Sequence, residues 1–109
     1  MANTFKSKVF NGNSTTASTA MNVYTTPTST TTVVIGLTLA NTASSQITAN
    51  IILNAGGAVY LAKSITIPSG SSFEYMAGNK VIMEAGHTLA VSSDTANSLD
   101  TVMSIMEIT

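Results

Sequence analysis

Apolar and polar residues alternate with a period of two through most of the chain. In TTVVIGLTLAN, Val33, Ile35, Leu37 and Leu39 fall on one face and Thr32, Val34, Gly36 and Thr38 on the other, which is the pattern of a β-strand. ITANIIL repeats it with Ile47, Ala49, Ile51 and Leu53, and the intervening NTASSQ reads as a turn, so the two form an antiparallel pair. AVYLAKSITI follows, with Val59, Leu61, Ile65 and Ile67 expected inward. Polar Lys63 interrupts that run, predicting a kink or bulge at Ala62 to Ser64. Pro68 cannot donate to a ladder and Gly70 tolerates unusual backbone angles, so PSG is a tight corner into SSFEYM. The strands VIME, TLAVSS and LDTVMSIMEIT complete the series. The last is apolar on both faces, the mark of a central or doubly covered strand.

Upstream, AMNVYTT alternates in the same way before Pro27 breaks the ladder. Turn signals recur every eight to twelve residues or so and no segment keeps helical spacing. The pattern predicts an all-β chain: a single-domain antiparallel β-sandwich, jelly-roll or immunoglobulin-like, of about eight strands. Residues 20–109 carry the sandwich, and residues 1–19 are an N-terminal arm or a first edge strand. Within that segment Phe5 and Phe10 flank KSKV, and Phe5, Val9 and Phe10 are candidate contacts to a partner subunit.

Composition narrows the function. Charged residues are 8% of the 109-residue chain, against about a quarter in ordinary soluble domains. With 44% hydrophobic residues and a net charge of −1, the chain lacks the signature of disorder. There is no arginine, and four scattered lysines make no footprint for nucleic acid or an acidic membrane. The absence of cysteine excludes disulfides and thiolate zinc sites. No apolar run approaches the ~18 residues of a membrane-spanning helix and the first residues do not read as a signal peptide, so synthesis in a cytoplasm is expected. A surface polar through serine and threonine rather than charge points to an exterior that meets other protein.

No catalytic constellation emerges. His87 is the single histidine and sits in EAGH, a turn, so its proximity to Glu84 does not make a metal pair. Asp94 and Asp100 could complete a triad only on paper, because no nucleophile elbow accompanies them, and SSDTANSLD lacks the acidic spacing of a calcium loop. Glu74, Glu84 and Glu107 are dispersed over different strands. Met76, Met83, Met103 and Met106 read as gap-fillers of a β core. Tyr24, Tyr60 and Tyr75 are the aromatic platforms that a carbohydrate-binding or adhesin module would use. The expectation is a non-enzymatic protein with no cofactor, no metal and no nucleic-acid or membrane partner.

Three stretches, VYTTPTSTTTVVIGLTLANTASSQIT, YLAKSITIPSG and VIMEAGHTLAVSSDTANSLDTVMSIMEI, together resemble small β-sandwich structural proteins of tailed bacteriophages, especially marine and cyanobacterial ones. The resemblance implies a virion component made in the host cytoplasm: a capsid decoration or cement protein, or a piece of neck or tail. Its partners would be other copies of itself, often as a trimer, and the major capsid protein or other virion proteins. His87 stands where the turn in such proteins often carries an acidic residue, so no ion contact is carried over.

Overall fold

The computed structural model describes residues 3–11, 18–75 and 81–109. These form nine strands: β1 (Asn3–Phe10), β2 (Met21–Thr25), β3 (Thr31–Asn41), β4 (Ile47–Asn54), β5 (Ala58–Ile67), β6 (Ser72–Tyr75), β7 (Val81–Met83), β8 (Thr88–Ser93) and β9 (Leu99–Ile108). All pair antiparallel, in two sheets. One runs β1-β9-β3-β6, with β7 beside β6's end on the same flank of β3, and the other runs β2-β8-β4-β5. The pairs β4/β5, β3/β6–β7, β2/β8 and β1/β9 nest inside one another and fall alternately in the two sheets. That is a long hairpin folded over on itself, the winding of a jelly roll. The all-β single-domain sandwich expected from periodicity is the observed fold, elongated at 45 × 24 × 23 Å.

The core lies between the sheets. From one come Val34, Leu37, Leu39, Met83, Met103 and Ile105, and from the other Ile47, Ala49, Ile51, Ile67, Leu89 and Val91, all buried. Each large aliphatic side chain removed from water contributes roughly 1.5–3 kcal/mol. Met83 and Met103 fill this core as expected, whereas Met76 lies outside the described residues.

Four irregularities in three strands set which residues face it. In β3, Val34 pairs with Ile105 and Gly36 with Ser104, so Ile35 is an extra residue in a bulge. Before it Thr32 and Val34 point inward; after it Leu37 and Leu39 do. The expectation that Val33 and Ile35 share the core face with Leu37 is thus corrected: Ile35 is exposed and Val33 points outward. In β5, Ile65 pairs opposite Ala49 and Ala62 opposite Ile51, which places the predicted bulge at Lys63–Ser64, with Ser64 in the left-handed region at φ 57°. A second slip follows before Tyr60, and Val59, expected inward, is exposed at the hairpin end. In β2 the register shifts at Val23, turning Tyr24 into the core.

Two glycine corners carry the chain between sheets. Ser71 N–H donates to Pro68 C=O at 3.1 Å with Gly70 at φ 72°, a type II turn that requires positive φ at its third residue. His87 N–H closes the second onto Glu84 C=O at 3.0 Å around Gly86 at φ 85°. Buried Asn41 ends β3: its amide donates to Ser45 and Ile67 carbonyls at 2.9 Å and its Oδ1 accepts from Ala43 N–H. One side chain so fixes a loop and the end of β5.

Candidate functional site

Among the described residues, the outer face of the five-stranded sheet is exposed and carries several large apolar side chains. β9 sits between β1 and β3, central as expected, yet only its inward side is packed. Register aligns Phe5, Met106, Val33 and Ile82 in one row across β1, β9, β3 and β7. A second row sets Val9 beside Val102. Phe5 is 73% exposed, Val9 69%, Ile82 55% and Val102 45%, with Ile35 between the rows. Neighbouring strands are about 4.8 Å apart, so the first row is a continuous apolar stripe about 14 Å long. Between the rows lie Ser7, Ser104 and Gly36 in register, small enough to leave the face flat. By the same register the acids Glu74 and Asp100 stand at one end, beside Thr38 and Ala40, and no charged residue falls in the row of Phe5.

The predicted contact residues divide between two sides of β1. Phe5 and Val9 belong to the outward face, whereas Phe10 has opposite parity and is half-buried. Asn3–Phe10 is an edge strand of this sheet, hydrogen-bonded along its length to β9. The inward parity of β1 carries Lys6 and Lys8, and these anchor the strand. Lys6 Nζ meets Glu107 Oε1 at 2.8 Å. Tyr24 O–H donates to Glu107 Oε2 at 2.5 Å, and the 2.9 Å contact of Thr32 Oγ1 with the tyrosine oxygen is then donated by the threonine. Lys8 Nζ lies 5.9 Å from the Tyr24 ring centre. The network bridges both sheets, with β2 supplying Tyr24 and β1, β3 and β9 the rest.

Its electrostatics follow from geometry. The Lys6 ammonium and then the Tyr24 hydroxyl hold the Glu107 carboxyl below its ordinary range, against the opposing effect of burial. Burial, reinforced by the bond to Glu107, pushes the Tyr24 hydroxyl up to about 12. In the sequence Glu107 is one of several dispersed acids, and nothing local marks its role. The one signal is a carboxylate on the inward side of β9, in line with Leu99, Thr101, Met103 and Ile105.

The remaining candidates are scattered. His87 Nδ1 accepts from Glu84 N–H at 3.1 Å and so stabilises its own turn. Asp94 Oδ1 accepts from Thr48 N–H at 3.0 Å. Among the described residues no three His, Cys, Asp or Glu side chains gather as metal ligands. Of the tyrosines, Tyr24 is buried, which removes it as a sugar platform, and Tyr75 is half-buried with its hydroxyl on Leu61 C=O at 3.1 Å. Tyr60 is 55% exposed. No protein-family model matches the chain, and no curated protein matches it in sequence.

Proposed function

We propose that this chain is a non-enzymatic structural protein of a tailed-phage virion, decorating or cementing the capsid through protein–protein contacts, first of all with copies of itself. The observation that supports it most is the open apolar face holding Phe5, Met106, Val33 and Ile82 in one cross-strand row. Contiguous exposed apolar surface of this kind marks interaction sites. A domain with so few charges gains little from leaving it in water. The virion setting rests on the resemblance of Val23–Thr48, Tyr60–Gly70 and Val81–Ile108 to phage structural proteins, and jelly rolls are a recurrent architecture of viral capsid subunits. That last point is an analogy of fold.

Sedimentation of the purified chain tests the contact, and immunogold labelling of intact particles tests the setting. The expected result is a discrete oligomer at micromolar concentration that Phe5→Asp with Ile82→Asp dissociates, weakening association more than about tenfold, or ~1.4 kcal/mol. A monomer throughout that range, or an oligomer indifferent to both substitutions, removes this face from the proposal. Particles that never carry the label remove the virion.

A further inference from the structure

The opposite side of the molecule has a different character. The outer face of the four-stranded sheet holds an open groove of about 300 Å³, lined among others by Thr48, Asn50, Ile52, Tyr60, Ser92 and Asp94. That volume is at the lower end of the range for small-molecule sites, ~300–1,000 Å³. Pairing of β4 with β8 sets Asn50 beside Ser92, and pairing with β5 sets Ile52 beside Tyr60. The polar part of the lining and its aromatic wall are therefore on adjacent rungs of one rigid sheet.

The groups are held in place. Asn50 Nδ2 donates to Ser92 Oγ at 2.9 Å, while Asn50 Oδ1 accepts from Ser64 N–H at 2.8 Å, at the bulge of β5. Ser92 thus receives a hydrogen bond and keeps its own proton to donate. Asp94 is fixed through Oδ1 by Thr48 N–H and the Thr95 hydroxyl, at 3.0 Å each, and its carboxylate has lone pairs beyond these two bonds. The Lys63 ammonium rests 5.1 Å from the centre of the Tyr60 ring, within cation–π range. The bulge that breaks the alternation of β5 therefore places both the Asn50 acceptor bond and the Lys63–Tyr60 pair.

We infer that this groove is a binding site for a neutral carbohydrate. A sugar presents hydroxyls that both donate and accept, and the lining answers with a carboxylate acceptor, an amide and hydroxyls of both kinds. It also presents a face of C–H groups, for which Tyr60 and Ile52 supply an apolar wall. Other ligand classes fit less well. The charged residue in the lining is an acid, which opposes phosphate and sulfate. A hydroxyl-rich lining opposes a purely apolar ligand, because its polar groups would be desolvated without partners. The site is separate from the apolar face of the other sheet, so its test is independent of assembly.

The test is a titration of the isotopically labelled full chain with a panel of neutral sugars, glucose, galactose, mannose, N-acetylglucosamine and their common disaccharides, followed by amide chemical shifts. The expected result is saturable shifts at Thr48, Asn50, Ser92 and Asp94 for at least one sugar, with a Kd of about 1–10 mM. Tyr60→Ala and Asp94→Asn each weaken it about tenfold or more; the asparagine keeps the acceptor for Thr48 N–H, so the fold is preserved. Phe5→Ala leaves it unchanged. Silence across the panel, shifts confined to other residues, or undiminished binding in both groove variants overturns the assignment.

Discussion

Glu107 joins the two sheets through its carboxylate, and its titration ties stability to pH. The folded state favours its charged form, so the contribution is complete above the ordinary carboxyl value of 4.5 and is lost as pH falls through the depressed folded value. Tyr24 acts at the other extreme. Its neutral form is favoured, so its contribution is complete below the ordinary value of 10.0 and is lost as pH rises toward about 12. Tyr24→Phe removes the donor to a buried carboxylate and is expected to cost about 1.5–3 kcal/mol at pH 7, measured by urea unfolding, and to flatten the alkaline loss. Glu107→Gln is expected to flatten the acid loss instead. Equal stability of Tyr24→Phe and the parent at pH 7 would show that the bond contributes nothing.

Among the elements, β3 makes the sharpest prediction. Ile35 is an added residue relative to β9, so deleting it joins Val34 to Gly36 and leaves inward residues inward. Deleting Thr38 from the regular part of the strand has the opposite result, because everything on one side of the cut turns over. The Ile35 deletion is expected to unfold cooperatively with a loss of at most about 2 kcal/mol, and the Thr38 deletion not to fold, as followed by thermal melts. Equal damage from both would contradict the bulge. The same strand shows what periodicity alone does not encode. Val33, Val34 and Ile35 are consecutive β-branched residues that satisfy either face, so the change of parity leaves no mark in the pattern. In β5 the slip was legible because Lys63 interrupts an apolar run. Likewise Phe5 and Val9 are visible as alternating residues, but their neighbours Met106, Val33 and Ile82 come from distant segments and are joined to them by register alone. The Lys6–Glu107–Tyr24 network was hidden for that reason too.

At the scale of the whole molecule, the nested pairing brings remote segments together, with β1 against β9 and β9 against β3. Such topologies close long loops before gaining their contacts, which slows folding. The two broad surfaces also differ: one is flat and apolar, the other grooved and lined with oxygen and amide groups, so the sandwich has two unlike sides. The alignment of Asn3 with Ile108 places the start of the first strand beside the finish of the last. A short glycine-rich bridge between them can therefore rejoin the chain, with new termini opened at Gly56–Gly57 in the exposed β4–β5 tip. Such a circular permutant is expected to keep the parental circular-dichroism spectrum and a single melting transition; a collapsed or aggregating product would contradict the adjacency. Cargo joined before Asn3 or after Ile108 would emerge from the pole of the sandwich that also carries the exposed β4–β5 tip, because Thr31 and Met83 share that end and Thr88, just past the Glu84–His87 corner, pairs with Asn54.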